Sequence, residues 1–187
     1  MARVARQEEP EAQIEAWTMD EHRVGLKPIL RRVWARRGQR PVVTVQPRYE
    51  WLWVYGFVCP ATGETWWLVL PRVNTDAMSR ALAEFARAMG AGRTKQIVLV
   101  LDQAGWHTSG KVAVPEGITL VWLPARSPEL QPAERLWGLV DEAIANRVWE
   151  SIAALEAAVV ERCRIVRGTM QEYVHGLTRY RWWPTFA

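Results

Sequence analysis

Three acidic residues stand where an acid has no evident structural duty. Asp102 directly follows residues 97–101 (IVLVL), five consecutive apolar positions of the kind that form a strand buried on both faces. Such a strand needs no carboxylate at its exit, and Gln103-Ala104-Gly105-Trp106-His107 beyond it reads as a loop. The structural alternative is an Asp that caps a crossover helix. Glu134 follows Ser127-Pro128-Glu129-Leu130-Gln131-Pro132-Ala133, whose prolines fix the entry of a helix, with Pro132 at its first position and Glu134 in its first turn. Alone, a first-turn Glu is capping or macrodipole chemistry. Directly behind a second apolar strand, residues 118–123 (ITLVWL), the helix that carries it can lean across the end of a sheet. Asp20 ends residues 14–19 (IEAWTM), which alternate apolar and polar side chains as a strand does. If the strands ending in Asp20 and Asp102 are neighbours, both carboxylates lie at one end of the sheet, where open α/β sheets keep their active sites.

The elements that must position these acids follow from the pattern. Residues 41–46 (PVVTVQ), 51–59 (WLWVYGFVC) and 65–70 (TWWLVL) are rich in β-branched and aromatic residues, and Gly63 lies in the short turn between the last two. They read as an antiparallel meander. Asn74 or Thr75 caps a helix that runs to about Met89 with Ala77, Leu82, Phe85, Ala86 and Met89 on one face, stopped by Gly90 and Gly92. Strand 118–123 is expected parallel to strand 97–101 after a long crossover. Leu136, Val140, Ala143 and Ile144 continue the helix of Glu134, and a further helix capped by Ser151 presents Ile152, Leu155, Val159, Cys163 and Val166 and halts at Gly168. The fold class is therefore α/β: a mixed sheet, three antiparallel strands plus two parallel strands, flanked by helices.

The 187 residues, 49% of them apolar, suit one globular domain, expected as a leader at 1–14, a catalytic domain at 15–170 and a C-terminal tail at 171–187. No apolar run approaches the ~18 residues that span a bilayer, and the N-terminal stretch lacks the apolar segment of a secretion signal, so the cytoplasm is the expected compartment. Cys59 and Cys163 are far apart in apolar surroundings and read as buried thiols. The net charge is only +4. Yet residues 23–48 hold Arg23, Lys27, Arg31, Arg32, Arg36, Arg37, Arg40 and Arg48 and no acid, either a solvated basic surface or a nucleic-acid contact.

Taken together, these segments resemble the DDE transposases, specifically the mariner-like superfamily with its bacterial insertion-sequence branch. Leu99-Val100-Leu101-Asp102-Gln103-Ala104-Gly105-Trp106-His107 resembles the second-acid segment, and Leu123-Pro124 with Ser127 through Trp137 the third. Trp17-Thr18-Met19-Asp20-Glu21-His22-Arg23-Val24-Gly25-Leu26 resembles the first, where an Asp-Glu pair carries the acid. Trp34 through Pro41, Tyr55-Gly56 and Thr62-Gly63-Glu64 fit the intervening pattern. The resemblance implies a ribonuclease-H-like fold and a metal-dependent DNA endonuclease that cleaves element ends and transfers the freed 3′-hydroxyl to target DNA. It implies Asp20, Asp102 and Glu134 as catalytic acids and ligands of two Mg²⁺ or Mn²⁺ ions, about 3.5–4 Å apart in such sites. It implies double-stranded DNA as partner, a homodimer, and a nucleoid-associated location.

The sequence departs from that family at Gln103, where Asn is usual, and at Gly105, often Pro; the spacing from the second to the third acid is a few residues short. The family's helix-turn-helix region is missing from these 187 residues, which suggests a separately encoded recognition chain or a relic. Arg31, Arg32, Arg36, Arg37, His107 and Arg126 are the candidate DNA contacts. His107 can instead pack on Trp106, and Arg126 can pair with Glu129. Between Asp20 and Glu21, strand alternation sends neighbours to opposite faces and favours Asp20 as the ligand. Trp106, Trp182 and Trp183 are candidate base-stacking or partner surfaces. The rival to the enzyme is a catalytically silent DNA-binding or interaction relic, and a weaker third reading is an RNA-directed nuclease on the same fold.

Overall fold

The computed structural model describes residues 12–184, apart from 43, 44, 46 and 47. Five strands form one sheet: β1 (Gln13–Gly25), β2 (Trp51–Cys59), β3 (Glu64–Leu70), β4 (Lys95–Leu101) and β5 (Ile118–Trp122). Their order is β3-β2-β1-β4-β5, with β1 antiparallel to β2, β2 antiparallel to β3, and both β1–β4 and β4–β5 parallel. The expected mixed α/β sheet is thus present, and the strands of Asp20 and Asp102 are neighbours.

Helix α1 (Thr75–Met89) packs on one face of the sheet, where Trp17, Met19, Tyr55, Phe57, Leu99 and Leu101 meet Met78, Leu82 and Phe85. Asn74 caps it by accepting from the Ala77 N–H at 2.8 Å, and Gly90 ends it at φ 68°, a left-handed position that suits glycine. The short helix α2 (Gly105–Thr108) follows β4. Three helices cover the other face: α3 (Glu134–Ile144), α4 (Ile152–Thr169) and α5 (Gln171–Thr178). There Val24, Leu52, Val54 and Val58 meet Leu136, Val140, Leu155, Val159 and Val174. Each such side chain taken fully from water stabilises the fold by about 1.5–3 kcal/mol, so both faces of the sheet are committed. Cys59 and Cys163 are buried free thiols, and burial pushes Cys163 up to about 12.

Three local expectations need correction. Strand β1 does not stop at Asp20 but continues to Gly25, because Asp20 to Gly25 pair in register with Gly56 back to Trp51 of β2. Helix α3 begins at Glu134 and not at Pro132; residues 132 and 133 form a tight turn, entered from a 3₁₀ turn over Pro128–Leu130. The strand expected at 41–46 falls partly outside the described residues, and positions 41, 42 and 45 are exposed and belong to no strand. At the C-terminal end, α5 buries Val174 and Thr178, and Trp183 is only 7% exposed against Ala16, Val100 and Leu123 of the sheet. No helix among the described residues is long and apolar enough to cross a membrane.

Candidate active site

The parallel register of β1 and β4 brings the first two acids together. Thr18 pairs with Val100, and Asp20 and Asp102 each stand two residues further along their strands. Strand alternation aims both at the face covered by α3, whereas Glu21 is turned to the opposite face. Glu134 arrives from the first turn of α3. The three acids line one cleft of about 390 Å³, together with Gln103, Pro124, Arg126, Ser127 and Gln131.

Gln131 fixes the placement of Glu134. The residue is 3% exposed, and its side chain donates to the Met19 carbonyl at 3.0 Å and accepts a hydrogen bond from the Thr18 hydroxyl. The connection before α3 is thereby fastened to β1 beside Asp20. Gln103 does the same for the loop after β4, donating to the Leu123 carbonyl at 2.8 Å. Neither role was visible in the sequence, because each bond joins segments far apart along the chain.

Helix α3 also grips β1 through one stripe of side chains at helical spacing. Trp137 donates its indole N–H to Asp20 Oδ2 at 3.0 Å. Asp141, one turn on, hydrogen-bonds His22 at 2.8 Å, and the His22 ring stacks on Trp137 with centroids 5.0 Å apart. Trp137 has room because β2 carries glycine opposite Asp20: a Cβ on Gly56 would lie 2.8 Å from a Trp137 ring carbon and 3.0 Å from Trp67. We expect Gly56→Ala to cost about 1–3 kcal/mol by overpacking and to loosen the Trp137–Asp20 bond. Gly138→Ala on α3 meets nothing within 4 Å and should instead stabilise by about 0.5–1 kcal/mol. Urea denaturation of the two variants checks both signs, and equal shifts would refute the packing argument.

The electrostatics of the acids differ. Burial pushes the Asp20 carboxyl up to about 7, opposed by the Trp137 hydrogen bond and reinforced by the negative charges of Glu134 and Glu21. Asp102 is exposed, and the hydrogen bond from His107 holds its carboxyl below the usual range. Asp102 Oδ1 accepts from the Ala104 N–H at 3.0 Å and from His107 Nδ1 at 2.7 Å. The other ring nitrogen of His107 reaches Glu21 Oε1 at 2.9 Å. Burial alone would depress the imidazole, but its bonds to Asp102 and Glu21 prevail and raise it to about 10. His107 is thus buried between two carboxylates that favour its protonated form.

His107, expected among the DNA contacts, has only 2% of its surface exposed and packs edge-on to Trp106. Trp106 donates to Glu21 at 3.3 Å. Arg126 is exposed at the cleft, adopts φ 59°, and makes no ion pair with Glu129. Arg31 is tied to Asp141 at 3.3 Å, while the exposed Arg32, Arg36 and Arg37 make no ion pair with any described residue. Asn146 fastens the start of this basic arm, its amide meeting both the N–H and the carbonyl of Arg31 at 2.9 and 3.0 Å. Sequence reasoning missed Trp137, Gln131 and the paired role of Glu21; a Gly56 inside an aromatic strand was the one signal for Trp137.

The carboxylates suit a hard cation in kind, three of them on one open cleft, with the Asp20 carboxyl raised chiefly by burial. Asp20 and Asp102 each have one oxygen pinned by a protein donor, which orients the carboxylate. Among the described residues, no three acid, His or Cys side chains already stand at metal-ligand spacing.

The model of the family described as DDE superfamily endonuclease matches residues 15–156. A relative in Sinorhizobium fredii (strain NBRC 101917 / NGR234), the uncharacterized protein y4pE/y4sA, is 39% identical over 134 residues, covering 67% of this chain and 98% of its own. Among solved structures, a pre-cleavage Mos1 transpososome has TM-score 0.58 at 15% identity, covering 96% of this chain and 59% of that one. The Mos1 strand transfer complex has TM-score 0.56 at 16% identity, covering 96% and 58%. A simian T-cell lymphotropic virus intasome has TM-score 0.57 at 10% identity, covering 96% and 59%. At such identities these likenesses concern the fold, and the chain spans under three-fifths of those solved chains. The chain belongs to the DDE superfamily endonucleases and carries the ribonuclease-H-like fold of a DDE transposase catalytic domain.

Proposed function

We propose that this chain is a metal-dependent DNA endonuclease and strand transferase of the transposition type, with Asp20, Asp102 and Glu134 as its catalytic acids. The observation that carries this reading is their convergence on one cleft from three separate elements. They would hold Mg²⁺ or Mn²⁺, two ions by family analogy, and related Mos1 complexes are described with Mn and with Mg. Bound there, divalent cations supply Lewis-acid polarisation of a phosphodiester and a stronger oxygen nucleophile.

The protein's own part is positioning. Trp137 and His107 orient Asp20 and Asp102, Gln131 sets Glu134 against them, and Arg126 at the cleft offers a fork for a DNA phosphate. Arg32, Arg36 and Arg37 on the exposed arm would add phosphate contacts, with double-stranded DNA as the substrate. A homodimer, an associated N-terminal recognition chain and a cytoplasmic, nucleoid-associated location complete the proposal, as does the division at 1–14, 15–170 and 171–187.

Nicking of a supercoiled plasmid, and joining of a pre-cut labelled end to it, test this directly. Both should require Mg²⁺ or Mn²⁺ and stop on chelation; cleavage that persists in chelator would refute the metal role. Asp20 adds a pH signature. Its carboxyl is raised to about 7, so below that pH an arriving cation must displace its proton. Metal affinity should climb from pH 5 to about pH 7 and then level, with proton release on binding at pH 6. Titration calorimetry in two buffers of different ionisation heat measures that release, and none at pH 6 would remove Asp20 from the ligand set.

A silent relic is the second reading, favoured by the lack of three ligands at metal spacing among the described residues. It expects DNA binding without cleavage under any divalent ion.

A further inference from the structure

We propose that the C-terminal segment builds a second nucleic-acid subsite, a basic and aromatic groove that takes one nucleotide unit of a DNA strand leaving the carboxylate cleft. The inference rests on the DNA-cleaving function proposed above and names a binding surface that function does not assign. A cavity of about 740 Å³ opens between the β2–β3 turn and the C-terminal end of α5, lined by His175, Arg179, Tyr180, Arg181 and Trp183. Its volume is within the usual range of ~300–1,000 Å³ for small-ligand sites.

Three properties fit a nucleotide. Arg179 and Arg181 are exposed, and neither forms an ion pair with any described residue, so two guanidinium forks are free for phosphate oxygens. Trp183 is 7% exposed, and its indole N–H is the one buried side-chain polar atom without a hydrogen-bond partner among the described residues. A buried donor left unpaired is costly, so the site gains from a ligand that brings an acceptor. Trp182, 41% exposed with its ring 5.3 Å from that of Trp183, adds an aromatic surface for a base.

Arg135 ties the groove to the helix that carries Glu134. Arg135, next to Glu134, donates to the Tyr180 hydroxyl at 3.1 Å and lies 5.7 Å over its ring. Trp183 shares a buried cluster with Ala16, Val100 and Leu123, against which Leu130 of the 3₁₀ turn packs; Ala16 and Val100 lie four and two residues before Asp20 and Asp102 in the chain. A strand that leaves the cleft past Arg135 meets Arg179 and Arg181 next.

The test is fluorescence-anisotropy binding of a short single-stranded DNA to the full chain in chelator across a salt series. The double variant Arg179→Ala/Arg181→Ala removes two phosphate contacts, and its log affinity against log salt should be shallower by about 1.4. Trp183→Phe keeps an aromatic ring but removes the indole donor, and should weaken binding about twofold to tenfold. The double variant Arg164→Ala/Arg167→Ala, on exposed positions of α4, should leave the slope unchanged. An unchanged slope in Arg179→Ala/Arg181→Ala, or an equal fall in the α4 control, overturns the groove. Wild-type plasmid nicking in Mg²⁺ is scored separately. Its absence with the slope change intact refutes the nuclease and leaves the groove standing, whereas nicking with an unchanged slope refutes the groove alone.

Discussion

Asp102→Asn should lower Mg²⁺-dependent nicking by about 10³-fold or more with little loss of stability. A cation's stabilisation of a phosphoryl transition state amounts to several kcal/mol, and each 1.36 kcal/mol is about tenfold in rate. Asn keeps the shape of the side chain and an oxygen that can still accept from the Ala104 N–H, but it removes the charge a divalent ion needs. The fold should tolerate the change because Asp102 is exposed and His107 retains Glu21 as a partner. Single-turnover nicking at saturating Mg²⁺, alongside a denaturation curve, measures both. A variant that nicks like the wild type would mean contamination or another site.

His107→Ala should be the most destabilising single change around the site, by about 3–5 kcal/mol. Glu21, with only 3% of its side chain exposed, would keep a buried charge with its cation gone, and one-sided loss of a buried pair costs that much. Only the Trp106 N–H, at 3.3 Å, would still bond to it. Changing Glu21 to Gln in the same chain should recover part of the loss, since the orphaned charge is then removed as well. The pH dependence has a definite sign. The folded imidazole is raised to about 10, above an unfolded value of about 6.5. Its stabilisation is complete below pH ~6.5 and is lost as pH rises towards 10. The gap between wild type and His107→Ala in urea denaturation should therefore narrow between pH 6 and pH 10; a constant gap would mean that His107 is not charged in the fold.

The parts of the site legible in the sequence were those written in one short segment. Asp102 stands at the end of an apolar run, which alone told where its strand delivers the acid, and Glu134 follows a proline-marked helix entry that told which turn carries it. Asp20 was expected at the end of its strand, and it lies within that strand, which was cut short. The polar sequence Asp20-Glu21-His22-Arg23 looks like a loop, and it stays extended because β2 pairs with it and Trp137, His107 and Asp141 satisfy its side chains. Those partners are 86 to 119 positions away, a distance no periodicity encodes. The same cause hid Gln131, whose bonds to β1 span more than a hundred residues. At positions 41, 42 and 45 the β-rich composition misled in the other direction, since strand propensity is realised only against a neighbouring strand and these residues are exposed. Helix α3 was shifted by two residues because Pro132 also suits the tight turn that precedes it.

The account stands or falls on whether Asp20, Asp102 and Glu134 hold a cation together. Mn²⁺ titration followed by electron paramagnetic resonance, with a short DNA duplex present, compares the wild type with Asp20→Asn, Asp102→Asn and Glu134→Gln. Tight binding by the wild type, weakened about tenfold or more by each substitution, is the expected result. Equal Mn²⁺ binding by all four proteins, or none by the wild type, would contradict it.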